Sequence, residues 1–445
     1  MKKLFRKVFT QKTINRYHFV MAVLANVIYR FPSRQLRVIG VTGTNGKTTT
    51  CHMIAAMLEA AGRKVGMTTT IDFKIGEKLI PNNLKMTTVS PFKLQKMLRA
   101  MVDAGCEDAV IEVTSIALDQ HRLWGIYFHT AVFTNLTHDH LDYHGDMTKY
   151  RLSKEQLFAN HPVLSVVNSD DPAAEEFTKY QSDYLITYGL KSQSLVAAKK
   201  LYARPGGTDF ILVIGQRQAA LNLPLPGQFN VYNALAAATV GIGLKISLED
   251  IVNGLRTVTA VPGRMEVIDQ GQAFTVIVDY AHTPDALQKV YETIKPTVRG
   301  KLISVLGATG RRDKTKRPIL GALAGRFADY IFITNEDPYD EDPQTIINEV
   351  AAGVPRGRPK RGRYKIKRED TEIPFKYKDT GEDIWWWREP DRREAIKRAL
   401  AMARPQDVVL VTGKGAEEVM AVGDKLVPFS DRKVLEELLP KYAVR

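Results

Sequence analysis

The sequence predicts an α/β protein built on two sheet domains, and three observations carry that expectation. Short apolar runs ending in polar residues recur at 37–42 (RVIGVT), 109–113 (AVIEV), 131–135 (AVFTN) and 165–168 (SVVN). Helical patterns separate them, which indicates a mostly parallel sheet covered on both faces. The rhythm then restarts after Val261-Pro262-Gly263, with 275–279 (TVIVD), 302–307 (LISVLG), 330–334 (YIFIT) and 408–412 (VVLVT). At 445 residues the chain has room for two or three domains. The expected division is a short segment over 1–36, a central domain over 37–260 and a C-terminal domain over 261–445. The last carries a basic insertion at about 355–390, where the Lys/Asp- and Trp-rich run has no period and reads as an exposed hairpin or loop.

Composition narrows the class. Apolar and charged fractions are ordinary for a globular protein. Two cysteines, Cys51 and Cys106, exclude a disulfide framework and a four-cysteine zinc site, and fit a reducing cytoplasm. The net charge of +14 is concentrated in 356–368 (RGRPKRGRYKIKR) and at the N-terminus (MKKLFRK). No RNA-binding signature accompanies it, so nucleic acid is not an expected partner.

Element by element, the first feature is the apolar run 19–29 (FVMAVLANVIY). It is too short to span a bilayer, which takes about 17 to 25 residues. No cleavage site follows it, so a signal peptide is not expected. A helix packed on the next domain is the first expectation. Peripheral contact with a membrane, helped by the basic flank, is the second.

Strand 37–42 leads into Gly43-Thr44-Asn45-Gly46-Lys47-Thr48, which opens a helix running to Ala61. Strand, glycine loop and helix make a phosphate cradle, because glycines let amide groups approach oxygens closely and the helix dipole favours an anion. The spacing is short: the usual glycine five residues before Gly46 is Val41. Lys47 supplies charge and the Thr48 hydroxyl can reach Mg²⁺, so the central domain reads as a P-loop-type ATPase domain. Glu112 ends the buried run AVIEV and needs a partner. Mg²⁺ is one candidate, an N-cap or an ion pair another. In 134–145 (TNLTHDHLDYHG), His138, His140 and His144 stand among Asp139 and Asp142. Alone, they allow a zinc or iron site, a polar loop, or a hard-metal site beside ATP that uses one imidazole. Lys154, on a helix-like segment downstream, would be an odd exposed charge unless CO₂ converts it to a carbamate, which is anionic and can bind Mg²⁺.

Taken together, GTNGKTTT, EVTSIALDQHR, AVFTNLTHDHLDYHG, YRLSKEQLF, GQFNVYNALAA, GRMEVI, DYAHTPDAL, RRDKTKRP and GKGAEE stand in the order seen in Mur ligases. The chain resembles the tripeptide-synthetase type of that family over about residues 37 to 445. The resemblance implies ATP-dependent amide formation in peptidoglycan precursor synthesis, through an acyl phosphate, with a muramoyl-peptide-like acceptor and an amino acid. It implies that Gly43, Thr44, Asn45, Gly46, Lys47, Thr48 and Thr49 hold ATP, with Asn230 and Asn233 near the adenine. Arg264, Asp279 and His282 would close over ATP from the C-terminal domain, which is expected to be Rossmann-like. Thr48 and Glu112 would hold one Mg²⁺, and His140 a second, supported by carbamylated Lys154. Thr87, Thr88, Ser115 and Arg122 match positions that hold the acceptor. Arg312, Asp337, Tyr339, Gly413 and Glu417 match those near the incoming amino acid.

Departures from the family are specific. The family begins with a domain that holds the uridine part of the acceptor, whereas about 36 residues precede the central domain here, so the acceptor's carrier is expected to matter less. EVSSH is EVTSI, with Ile116 in the histidine's place, and GKGHE is GKGAE, with Ala416. Members that add meso-diaminopimelate carry DNPR, whose arginine grips the second carboxylate. The matching stretch is Glu336-Asp337-Pro338-Tyr339. Tyr339 cannot make arginine's paired hydrogen bonds to a carboxylate, and the acids around it attract an ammonium group. A cationic diamino acid such as lysine or ornithine is therefore expected, unless some of these acids merely cap the next helix. Rival readings are a folylpolyglutamate-synthetase-like ligase, which shares the loop but is not expected to show DYAHTPDAL with RRDKTKRP, and a noncatalytic Mur-like partner, which would more readily have lost Lys47, His140 or Lys154.

Overall fold

The structure, a computed structural model, describes residues 10–204, 206–354, 375–376 and 383–443. The basic run 356–368 and the N-terminal MKKLFRK lie outside them. The fold is α/β, in two compact units: Met1–Thr137 with Tyr143–Thr259, and His138–Asp142 with Ala260–Arg445.

The first unit is organised by an eleven-stranded sheet. Its centre is parallel: Arg37–Thr42 lies between Asp108–Glu112 and Phe128–Phe133, flanked by Val65–Thr68 on one side and Leu164–Asn168 and Tyr184–Gly189 on the other. These central strands are continuous apolar runs because helices cover both faces. Val38, Phe128 and Phe133 pack with Leu94, Leu98, Leu157 and Phe158. The alternate residues Ile39 and Val41, equally buried, point to the other face. At one edge Val196–Arg204 adds a further parallel strand and Gly207–Ile214 and Arg217–Leu223 follow antiparallel; at the other, Asp72–Ile75 and Lys78–Pro81 are antiparallel. All the carboxyl ends of the parallel strands lie along one rim, where a ligand is expected.

The N-terminal apolar run lies in the helix Gln11–Ile28, which Thr10 caps through Thr13 N. It packs on the first unit, as the first expectation had it. Asn15 Nδ2 donates to the Asp119 carbonyl at 2.9 Å, and Asn26 Nδ2 to the Trp124 carbonyl at 2.7 Å. Among the described residues, no helix is long and apolar enough to cross a membrane.

The second unit has a seven-stranded sheet, with Thr275–Asp279, Val408–Thr412, Leu302–Leu306, Tyr330–Thr334 and Asp383–Glu389 parallel in that spatial order. The last of these corrects the reading of the insertion as exposed hairpin or loop. Its Trp-rich end is a sheet strand, with Trp386 and Trp387 buried and Trp387 stacked on Phe332 at 4.9 Å. Aromatic side chains fit a pleated, half-buried surface, and the partner strand supplied one. Among the described residues, Phe375–Lys376 runs antiparallel to it as a hairpin pair.

Candidate active site

In the first unit the loop after Arg37–Thr42 turns on two glycines. Gly43 (φ +147°) and Gly46 (φ +83°) hold conformations that disfavour a side chain. A Cβ on the first would collide with Thr134 Oγ1, and on the second with Asn233 Oδ1. Gly46 caps Lys47–Ala60 without any side-chain cap, so the helix amides point at an uncapped N-terminus suited to an anion. Lys47 Nζ donates to the carbonyls of Gly43 (3.0 Å) and Thr44 (2.6 Å). Asn135 and Thr134 fix the loop from the next strand end. Asn45 N donates to Asn135 Oδ1 at 2.9 Å, and Thr134 Oγ1 donates to the Asn45 carbonyl at 2.7 Å. Thr49 is buried one residue beyond Thr48, in the first turn of the helix.

Glu112 is buried at its strand end and accepts from Thr48 Oγ1 at 2.9 Å, Thr70 N at 2.9 Å and Thr70 Oγ1. The carboxylate is thus held beside the threonine hydroxyl. Asn233 reaches the same loop through Thr50 Oγ1 (3.3 Å), and Asn230 supports it (3.1 Å).

Lys154 is not an exposed charge. Asp146 caps Met147–Ala159, and positions 150, 153 and 154 fall on one inward face. Lys154, 1% exposed, donates to the Gly43 carbonyl at 2.7 Å and lies over the Tyr150 ring at 4.5 Å. Tyr150 itself touches Thr44 Oγ1 at 3.1 Å. The residues matching acceptor positions also assemble. Thr70 Oγ1 lies 3.0 Å from Thr87 Oγ1, Thr88 Oγ1 donates to the Glu112 carbonyl (3.0 Å), and Arg122 Nη1 donates to the Thr88 carbonyl (2.6 Å). Burial lowers the Arg122 pKa to about 10, and its buried Nε has no hydrogen-bond partner among the described residues. Ser115 Oγ meets His144 Nε2 at 3.0 Å, and His144 Nδ1 meets Ser153 Oγ at 3.3 Å.

In the second unit His140 (φ +55°) lies 3.4 Å from Asp139 through Nε2, and His138 3.7 Å from Asp313. Burial alone would raise the Asp139 carboxyl, but His140, Lys316 and His282 outweigh it and hold it far below the usual range. His282 pairs Nδ1 with the Tyr280 carbonyl (2.9 Å), and burial, followed by the Lys316 charge, drops its pKa to about 3. Asp279 is buried and accepts from Met265 N and Ala281 N, both at 2.7 Å. Burial raises its pKa. Arg264 lies over Tyr280 at 4.5 Å. No group of three or more His, Cys, Asp or Glu among the described residues forms a ready metal cluster.

Of the positions matched to the amino acid, Asp337 and Glu417 meet at Lys414. Its buried ammonium contacts Asp337 (3.3 Å), Glu417 (3.0 Å) and the Val419 carbonyl (2.9 Å). Arg312 is exposed, yet its charge is felt by Tyr339 and Tyr280. Tyr339 (φ +52°) is held by the Ala421 carbonyl and Gly423 N, with Arg311 over its ring at 5.2 Å. Most of the acids have cation partners or caps. Arg311 pairs with Asp340 and Asp424, Arg317 and Lys314 with Glu341, and Asp342 caps Pro343–Ala351. Glu336 differs: it is buried beside Gly413, bonds Thr309 through Oε1, and leaves Oε2 with no hydrogen-bond partner among the described residues. Burial raises its pKa.

Sequence reasoning missed four contributors. Tyr150 and Ser153 are signalled only by their spacing from Lys154. Lys414 was visible inside GKGAEE but not as the hub. Arg392, in a fully buried pair with Asp431 (2.7 Å), also donates to the carbonyls of Thr412 and Asn335, bracing two strand ends.

Comparison with known proteins follows this geometry. Residues 41–241 match the family model of the Mur ligase middle domain, and 263–415 that of the Mur ligase, glutamate ligase domain. The chain is 40% identical, over 93% of its length and 81% of the relative's, to a UDP-N-acetylmuramoyl-L-alanyl-D-glutamate–2,6-diaminopimelate ligase of Geobacillus thermodenitrificans. A solved structure of a ligase of the same name superposes with TM-score 0.61 at 30% identity, covering 92% of this chain and 79% of that one. A folylpolyglutamate synthase of Mycobacterium tuberculosis superposes with TM-score 0.69 at 19% identity, covering 89% and 91%, a likeness of fold alone.

Proposed function

The chain belongs to the Mur ligase family, an ATP-dependent, ADP-forming acid–amino-acid ligase of peptidoglycan precursor synthesis, and from that premise we propose how its residues divide the work. The acceptor is a muramoyl-dipeptide-like carboxylate. It takes the γ-phosphoryl group of ATP to give an acyl phosphate and ADP. The amine of a diamino acid then attacks the carbonyl, and phosphate leaves.

ATP and Mg²⁺ fit the first unit. A cradle that a Cβ would fill, an uncapped helix N-terminus and a hydroxyl–carboxylate pair are the donor set a Mg²⁺–polyphosphate needs. Thr48 and Glu112 would hold the ion, Lys47 the terminal phosphates, and Asn233 and Asn230 the nucleoside side of the loop. Mg²⁺ supplies charge neutralisation as two anions meet. Arg122, buried with an unused donor beside Thr88, would orient the acceptor together with Thr87 and Ser115. Lys154 would act as its carbamate, and His140 as a ligand of a second Mg²⁺. On the second unit Arg264, Asp279 and His282 would serve the nucleotide. Arg312 would take the α-carboxylate of the amino acid, with Gly413 and Glu417 close by.

The amino acid would be a cationic diamino acid, lysine or ornithine, rather than meso-diaminopimelate. Tyr339 offers no guanidinium, and Glu336 leaves a carboxylate oxygen for an ammonium group. The enzyme would be cytoplasmic, with its N-terminal helix touching a membrane surface. The observation that carries the reading as a ligase is the Thr48–Glu112 contact at the uncapped helix N-terminus. Mass spectrometry of products from pooled amino acids and muropeptide acceptors tests it. A muropeptide gaining one diamino acid, with one ADP formed, is expected. Glutamate added to a folate, with no muropeptide product, would overturn it.

A further inference from the structure

Helix Gln11–Ile28 presents two unlike faces. Ala22, Ala25 and Asn26 are buried against the first unit. Outward, where a surface helix normally carries charge, stand Tyr17 (54% exposed), Val20, Leu24, Val27 and Ile28 (61%). Their spacing of three, four, three and one keeps them on one stripe. From Tyr17 to Tyr29 the sequence holds no Lys, Arg, Asp or Glu. The stripe continues onto the next loop: Phe19 meets Trp124 edge-on at 5.2 Å, and Trp124 (41%) and Tyr127 (49%) are exposed beside it. Exposed apolar patches of this kind mark interaction sites.

The charge of the N-terminal sequence selects the occupant. Residues 1–36 contain eight Lys and Arg and no Asp or Glu, a net +8 of the chain's +14. Arg16 and Arg30 bracket the stripe, and exposed Arg34 lies over Phe31 at 4.7 Å. A protein partner would need a strongly acidic rim around an apolar groove. An anionic bilayer offers both at once, an acidic headgroup layer above hydrocarbon, and takes up helices with Lys/Arg flanks and an aromatic-aliphatic face lying in its plane. We propose that this stripe, with Trp124 and Tyr127, docks on an anionic phospholipid surface. This rests on the membrane contact proposed above and assigns it a face. Docking would have a consequence for the acceptor residues. The helix bonds Asp119 and Trp124, which flank Arg122, so a helix fixed at a membrane also holds the segment carrying that arginine.

The test is co-sedimentation of the full chain with vesicles of phosphatidylcholine alone or mixed with phosphatidylglycerol. Sedimentation with the mixed vesicles, falling about tenfold or more at high salt as the charges are screened, is expected. The double variant L24E/V27E should lose that binding, as should Lys2, Lys3, Arg6 and Lys7 changed to Ser, which leaves the helix itself untouched. Quenching of Trp124 fluorescence by brominated lipid, absent in W124F, would support the assigned face. Failure to bind either vesicle overturns the proposal, and so does unchanged binding by both variants. A dimer that L24E/V27E converts to monomer, without vesicle binding, assigns the stripe to a second copy and also overturns it. Ligation of a soluble acceptor, measured in parallel, separates the two readings: retained ligation without vesicle binding defeats only the docking face, whereas vesicle binding without ligation defeats the ligase assignment.

Discussion

The candidate sites of the two units are built from different materials. In the first, the proposed phosphate cradle is made of backbone amides, two glycines and short hydroxyls, with the loop held by a neighbouring strand end. In the second, the proposed amino-acid region is made of long charged side chains that neutralise one another: Lys414 with Asp337 and Glu417, Arg311 with Asp340 and Asp424, Arg317 with Glu341. A cradle of backbone cannot be altered one side chain at a time without moving the chain, because Gly43 and Gly46 have no room for a Cβ. A network of side chains can exchange members and stay folded. The loop accordingly keeps the GTNGKT motif on which the resemblance rests, while the second region departs from the family motifs at Tyr339 and Ala416.

That contrast can be broken most severely at Lys154. Lys154→Ala should lower ligation by about 10²–10³-fold or more, the scale of removing one preorganised charged group from a reaction centre. The melting temperature should change little by comparison, and acetate should partly restore turnover by standing in for a carbamate. An active K154A enzyme would remove the lysine from the chemistry and leave it a packing residue over Tyr150.

A smaller effect is expected at Tyr339. In competition, lysine or ornithine should enter product ahead of meso-diaminopimelate, and Tyr339→Arg should shift the ratio toward meso-diaminopimelate by roughly 10- to 100-fold. That is the range of a charge-assisted hydrogen bond worth about 1.5–3 kcal/mol. If the unaltered enzyme prefers meso-diaminopimelate, the side-chain network has supplied its cation from elsewhere. Arg311, already over the Tyr339 ring, is then the residue to change next.

The smallest effect is on stability. Folded His282 takes up its proton only near pH 3, whereas an unfolded histidine does so near 6.5. Its folded pKa is depressed, so its contribution is full above about 6.5 and is lost as pH falls toward 3. The slope is at most about 1.4 kcal/mol per pH unit. Denaturant unfolding between pH 7 and 4 should show a shallower loss in His282→Gln than in the unaltered chain. Equal slopes would mean that folded His282 protonates freely.

How much of this was legible depended on how local the signal was. The strand runs, the glycine loop and the helix after it are readable because period, turn chemistry and cap lie within a few residues of one another. The burial of Lys154 was not. Its helix gives an inward face to Tyr150, Ser153 and Lys154, but the Gly43 carbonyl that receives the ammonium comes from 111 residues away. The Trp-rich strand was hidden for the same reason, since a parallel strand is defined by a partner the local sequence does not contain.

By itself, then, the sequence determined the α/β class, the glycine loop that places Lys47 and Thr48 at a helix start, the order of family motifs, and tyrosine at 339 where the resemblance has arginine. These are statements about residue types at fixed short spacings, and spacing survives without coordinates. Only the tertiary structure decided that Glu112 is committed to Thr48 and Thr70, and that Lys414 unites Asp337 and Glu417 across 77 residues of chain. It also decided that most of the acids around Tyr339 have partners while Glu336 Oε2 has none among the described residues, and that the N-terminal helix turns apolar residues outward. Hydrogen bonds, ion pairs and burial act through distance in space, and distant segments acquire that distance only when the sheets bring them together.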